Sequence, residues 1–229
     1  MKSGEVKLFV GIMVIALLLV GITVVPALWG DKDRPPPPPP PGPVPLDRKT
    51  LVPPGSHVRG KVDAPYTLVE FGDFQCPQCR DSLDKVGKFV DAHPDKLNYV
   101  FHFIQAARLH YHAQLLARIA EAANEQGHYW DMSDALFGAQ QTFFAGTEDD
   151  VLNQAMKMAA AMKMDTLKFR AAITSPSVTK AILNQSDLAD KLKVQSTPTY
   201  FLLSPNAPTQ KLNGNAQMEQ HMNKPGVFK

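Results

Sequence analysis

Only two of the 229 residues are cysteine, and they stand three positions apart, at Cys76 and Cys79. There is no second cysteine pair, so a zinc site would have to take its other ligands from residues such as His102, His110 and His112. Scattered histidines in aromatic or helical segments read instead as packing or surface residues. Charge of one sign is scarce too: 24 Lys plus Arg against 22 Asp plus Glu leave a net +2. Without a broad basic surface, nucleic acid is excluded as the main partner. With 44% of residues hydrophobic and 20% charged, acidic-tail and disordered classes are excluded as well. Internal repeats are absent.

Proline and one long apolar run are what the chain has in excess. From Leu8 to Val25 there is no charge, and the apolar character continues to Trp29. As a helix this stretch would measure about 27 to 33 Å, against about 30 Å of bilayer hydrocarbon. Residues 1–30 are therefore expected to form a membrane anchor. A cleaved signal peptide is the alternative, for which Val25-Pro26-Ala27 is a tolerable cleavage pattern. Lysine and arginine flank the run too evenly to orient it. Either way the remainder is expected outside the cytoplasm, as a single-pass membrane protein or as a secreted or periplasmic one. Residues 31–56 form a linker whose core, Pro35 to Pro45, reads PPPPPPPGPVP. It lacks the donors for helix or sheet and should adopt polyproline II, a semi-rigid spacer of roughly 34 Å. A folded domain is expected from His57 to the end, large enough for a sizeable core.

Within that domain, Tyr66 to Gly72 (YTLVEFG), Leu97 to Phe103 (LNYVFHF) and Thr199 to Leu203 (TYFLL) read as buried strands. A helix is expected from Cys76, with Pro77 at its first position, where the missing N–H costs nothing. From about 106 to 190 the pattern is helical, with breaks at Gly127, near Gly146 and at Pro176, giving four or five helices. Pro205 to Thr209 reads as a turn into a short hairpin partner at Lys211 and Leu212, and a last helix is expected from Ala216 to Met222. The fold class is α/β.

Helical geometry separates the two sulfurs. Measured from Cys79 at about 100° per residue, Leu83 lies about 40° away and Val86 and Val90 about 20°, so Cys79 belongs to the core-facing stripe. Cys76 is expected at the helix mouth, exposed, where free N–H groups and the dipole stabilise a thiolate. Such a thiolate attacks a disulfide to form a mixed disulfide, which the second cysteine resolves. A purely structural disulfide would close too small a loop to stabilise much. The four methionines Met156, Met158, Met162 and Met164 fall at about 0°, 200°, 240° and 80° on a helix, so they share no ligand face and read as packing. Tyr129, Trp130, Phe137, Phe143 and Phe144 read as core of the helical block.

The segments EFGDFQCPQC, FHFIQAARLHYHAQLLARIAEAANEQGHYWDMSDALF and VQSTPTYFLL resemble, in this order, successive landmarks of the DsbA-like thioredoxin-fold family. The likeness covers about Pro65 to Met222. It implies a thioredoxin fold with an inserted helical subdomain, acting as a thiol-disulfide oxidoreductase on extracytoplasmic proteins. No bound cofactor and no metal are required, and a membrane redox partner is implied. Glu70 interrupts an apolar strand and resembles the buried acid that relays a proton to the interior cysteine. Thr197 and Pro198 match the substrate clamp, where the family's proline faces the cysteine pair and the preceding backbone pairs with an extended peptide. Pro77 and Gln78 belong to the same substrate-binding surface. Strongly oxidising members carry histidine where Gln78 stands, so a very low Cys76 pKa does not carry over. The competing function is a non-enzymatic adaptor or metal-handling domain at the membrane.

Overall fold

The computed structural model describes Met13 and residues 44–105 and 110–228. The expected membrane span and most of the proline-rich linker lie outside the described residues. Among the described residues, no helix is long and apolar enough to cross a membrane.

The chain from Val44 onward enters through a short helix α1 (Arg48–Leu51) and strand β1 (Val58–Arg59). A βαβ unit follows: β2 (Tyr66–Gly72), α2 (Pro77–Ala92) and β3 (Leu97–Phe103). Next come α3 (Ala113–Asn124), α4 (Tyr129–Gly138), a 3-10 turn at Gln140–Phe143, α5 (Glu148–Ala161), α6 (Thr166–Ala172) and α7 (Pro176–Lys191). Strands β4 (Thr199–Ser204) and β5 (Ala207–Asn213) and helix α8 (Gly214–Met222) complete the domain.

The sheet order is β1-β3-β2-β4-β5. Only β2 and β3 run parallel, Tyr66 opposite Leu97 and Gly72 opposite Phe103; the other pairs are antiparallel. Because strand side chains alternate between faces, β2 sends Leu68 and Glu70 to one side and Val69 and Phe71 to the other. The first side, with Tyr99 and Phe101 of β3, packs under α2 and the helical block, including Leu116, Phe137 and Phe143. The second, with Val100, Phe201 and Leu203, is covered by Ala189, Leu192 and Val194 at the end of α7 and by Leu51. The outer strands are a two-residue β1 and a mostly exposed β5 that contains Pro208.

Several expectations shift. The domain begins before His57: Leu51 is fully buried, and its carbonyl accepts a hydrogen bond from His102 Nε2 at 2.9 Å. Four residues of α1 are too few to show a helical period, although Asp47 caps the helix by accepting from Thr50 N at 2.8 Å. Residues 106–109 lie outside the described residues, and the first described helix of the block starts at Ala113. An additional break separates α5 from α6, where Lys163 takes φ 60°, a left-handed conformation that no glycine announced. Strand β5 starts at Ala207, inside the expected turn, and α8 starts two residues early, at Gly214.

Candidate active site

Strand β2 ends at Gly72, and the next four residues form a tight loop into α2. Asp73 fixes this loop: its Oδ1 accepts from Gln75 N at 2.8 Å, and its backbone carbonyl accepts from Cys76 N at 2.9 Å. Cys76 is the residue preceding the helix, with Pro77 in the first turn and no side-chain cap. The sulfur therefore faces uncapped N–H groups at the positive end of the helix. Its pKa is lowered to about 6, chiefly by a hydrogen bond from the Cys79 thiol, with the backbone N–H groups of Cys79 and Gln78 adding to it against the cost of burial. Cys79 moves the other way, well above an ordinary thiol, because it is buried and hydrogen-bonded to Cys76. Both cysteines are free thiols.

The expected exposure of Cys76 is corrected by the structure. Its residual exposure is 7%, against 1% for Cys79. The cover comes from the Thr197-Pro198 bend, whose peptide bond is cis. In its thiol form Cys76 donates to the Thr197 carbonyl at 3.7 Å. Cys76 is thus buried at the helix mouth, and Pro77 and Gln78 carry the exposed surface beside it. Asn215 ties this surface to β4: its Nδ2 donates to the Gln78 carbonyl at 2.8 Å, and its Oδ1 accepts from Tyr200 at 2.6 Å.

Glu70 lies beneath the pair, fully buried. Tyr99 donates to its Oε2 at 2.8 Å, and Ser82 Oγ lies 3.0 and 3.1 Å from its two oxygens. Burial raises its pKa to about 8, while hydrogen bonds from Tyr99, Ser82 and Cys79 pull in the opposite direction. Tyr99 and Tyr200 are both raised well above an ordinary phenol, first by burial and then by the nearby Glu70. Cys79, Ser82, Val86 and Val90 form the buried stripe of α2, while Leu83 is only half-buried.

The structure adds residues that sequence reasoning missed. Gln140, fully buried in the 3-10 turn, donates through Nε2 to the carbonyls of Phe74 at 2.8 Å and Cys76 at 3.0 Å. Gln75 answers from the loop, donating to Phe143 O at 3.3 Å and accepting from His112 N at 2.7 Å. His110 donates through Nδ1 to Asp73 Oδ2 at 2.7 Å. A glutamine beside the first cysteine was the one available hint. The expected aromatic core of the block holds for Tyr129, Phe137 and Phe143, all buried, with Trp130 packed against them; Phe144 is corrected to 41% exposed. Met156, Met158, Met162 and Met164 pack into or against the core.

The turn from strand to helix thus holds one acidic thiol, with a second thiol buried behind it over a protonatable carboxyl. The sequence model of the thioredoxin family matches residues 53–204. The chain belongs to that family, and its fold is DsbA-like. A thioredoxin-like oxidoreductase from Silicibacter pomeroyi is 27% identical with a TM-score of 0.59, the match covering 76% of this chain and 94% of that one. BdbD from Bacillus subtilis is 22% identical with a TM-score of 0.60, covering 77% and 92%. DsbA2 from Pseudomonas aeruginosa is 21% identical with a TM-score of 0.58, covering 76% and 91%. Among curated relatives, the Na(+)/H(+) antiporter NhaA 3 of Salinispora tropica is 33% identical over 161 residues, which are 69% of this chain. That match spans only 22% of the antiporter's length, so ion antiport does not transfer to this chain.

Proposed function

We propose that the domain is a thiol-disulfide oxidoreductase for extracytoplasmic proteins, working through the Cys76-Pro77-Gln78-Cys79 pair. The carrying observation is the opposed state of the two sulfurs: Cys76 at about 6 and Cys79 pushed far upward, one turn apart. At neutral pH Cys76 is a thiolate and attacks one sulfur of a client disulfide, releasing the other as a thiolate. Cys79 then gives its proton to the ionised form of Glu70, a minor fraction at neutral pH because burial raises its pKa to about 8, and attacks Cys76, and the client sulfur departs reduced. Run backwards, the same steps oxidise a client dithiol. Direction follows from the potential of the pair and of its membrane redox partner.

Client binding is assigned to Thr197 and Pro198, with Pro77 and Gln78 alongside. Backbone pairing of an extended peptide with Thr197 is strand addition, which gives affinity without a demand on sequence. Residues 1–30 are proposed to hold the domain at the membrane, with the proline-rich stretch as spacer.

Replacing Cys76 with serine should abolish turnover of disulfide-bonded or reduced client proteins. Replacing Cys79 with serine should instead trap a mixed disulfide at Cys76. Retained turnover in the Cys76→Ser protein would overturn the assignment. Equilibration with glutathione sets the direction: a potential near about −270 mV favours a reductase, and one near about −120 mV an oxidase.

A further inference from the structure

Between Glu70 and Cys79 stands a hydroxyl that the exchange steps above leave unassigned. Ser82, on α2, is fully buried. Its Oγ lies 2.6 Å from the Cys79 carbonyl, 3.0 Å from Glu70 Oε1 and 3.1 Å from Oε2. A serine hydroxyl has a single proton to donate. The Cys79 carbonyl has none, so the 2.6 Å contact uses the serine proton. With an ionised Glu70, the carboxylate oxygen and the Ser82 oxygen would then face each other about 3 Å apart with no proton between them in a dry interior, which is costly. Tyr99 already donates to Oε2, so a carboxyl proton on Oε1, directed at Ser82, closes the network. This arrangement is complete only when Glu70 is neutral.

A second arrangement completes the network for the charged carboxylate. Ser82 turns its proton from the Cys79 carbonyl to Glu70, and Glu70 then receives two hydroxyl donors, from Ser82 and Tyr99. We infer that Ser82 is a hydroxyl switch whose single proton points to Cys79 O when Glu70 is protonated and to Glu70 when it is ionised. The titratable groups facing Glu70 are Tyr99 of β3, Tyr200 of β4, Cys79 of α2 and Cys76 just before that helix, all acids. Donors that reorient therefore do the work that a fixed cation would do elsewhere.

The inference rests on the proposed exchange reaction for its role. As Cys79 gives its proton to Glu70, the electron pair left on sulfur forms the bond to Cys76 Sγ. The bond from Cys76 to the client sulfur breaks, and the client sulfur leaves with that pair and takes a proton from solvent. Two electrons pass from the cysteine pair to the client. Ser82 rotates back to Cys79 O as Glu70 becomes neutral, so it is a positioning residue for the proton transfer and touches neither reacting sulfur.

The test uses the full chain carrying Ser82→Ala, Ser82→Thr, Glu70→Gln and the Ser82→Ala/Glu70→Gln double change. Two readouts are followed against pH: the infrared carbonyl band of a protonated buried carboxyl, and the rate at which Cys79 releases glutathione from a mixed disulfide at Cys76. Ser82→Ala removes a donor from the carboxylate and an acceptor from the neutral acid; the charged bond is the stronger by about 1 to 1.5 kcal/mol, so the proton affinity of Glu70 should rise about tenfold and both midpoints should move up by about one pH unit. Ser82→Thr should retain the original midpoints, and in the Glu70→Gln background, which has no carboxyl band, Ser82→Ala should leave the rate profile unchanged. An unmoved infrared midpoint in Ser82→Ala, a threonine variant that behaves like alanine, or a shift that survives Glu70→Gln would each overturn the inference. If Ser82→Ala fails to fold, Ser82→Cys, similar in shape and a weaker donor, should shift the midpoints in the same direction by less. Failure of wild-type Cys76 to form the mixed disulfide would instead sink the exchange reading, while the infrared arm would still decide the role of Ser82.

Discussion

The amide nitrogen of Gln140 lies 3.0 Å from the carbonyl oxygen of Cys76, although the two residues belong to different parts of the fold. The same carbonyl accepts from Cys79 N at 3.1 Å and Arg80 N at 3.2 Å, so the first turn of α2 and the helical insertion converge on one oxygen. Gln140 also holds Phe74 O, and the loop that carries Cys76 is thereby clamped at two points.

Gln140→Leu should remove both contacts and leave the buried Phe74 carbonyl without this donor, while Cys76 O keeps its two backbone donors. A loss of about 1 to 3 kcal/mol is expected in chemical denaturation. Because the loop that aims Cys76 is freed, the rate of Cys76 alkylation at fixed pH should change as well. A variant destabilised by this amount with unchanged alkylation would show the clamp to be structural only.

Selective labelling reports the two sulfurs directly. In the reduced protein, iodoacetamide should modify Cys76 with a midpoint near pH 6 and leave Cys79 unmodified at neutral pH. Since the Cys76 pKa is depressed from 9.0, its stabilising contribution is fully present above about pH 9 and is lost as pH falls through about 6. The stability difference between the reduced protein and Cys76→Ser, measured by urea denaturation, should shrink over that window.

Glu70 has the opposite sign. Its pKa in the fold is raised from 4.5 to about 8, so the folded protein holds a proton that the unfolded chain has lost. The contribution is full below about pH 4.5 and disappears as pH rises through about 8. Glu70→Gln, neutral throughout, should flatten this part of the stability profile and become the more stable form toward alkaline pH. Parallel profiles for the two proteins would rule out a buried proton at this position.

Gly72 closes β2 against a crowded wall. A Cβ there would come within 2.4 Å of the Phe101 ring and 3.0 Å of Glu70 Oε1. Gly72→Ala should cost about 1 to 3 kcal/mol through overpacking and should also perturb the Glu70 carboxyl, visible as a changed pH profile for exchange.

The parts of this architecture that repeat with a short period were legible in the sequence. β2 and β3 matched their expected bounds, and α2 followed the strand with Pro77 at its start, because strand runs and helix-start chemistry are local signals. Cys79 was legible as an interior residue from its spacing to Val86 and Val90. Ser82 was not, since one polar residue in an amphipathic stripe looks like surface until Glu70 and Tyr99 are seen to meet it. Gln140 and Asp73 act through contacts set by tertiary packing, which no local pattern encodes. The depth of Cys76 depends on the bend at Thr197, more than a hundred residues away in sequence. Pro208 made the start of β5 look like turn, because an edge strand tolerates a proline that a central one would not.

The rims of the sheet offer little to a neighbouring strand. On one side β1 contributes two residues, too short a template for another strand to extend. On the other, β5 presents Pro208, which has no amide hydrogen, and exposed Lys211, whose charge discourages stacking. Neither border invites runaway assembly. On the proposed reading, a visiting polypeptide would be gripped at the single bend beside the nucleophile, briefly enough to let go once the sulfur chemistry is finished.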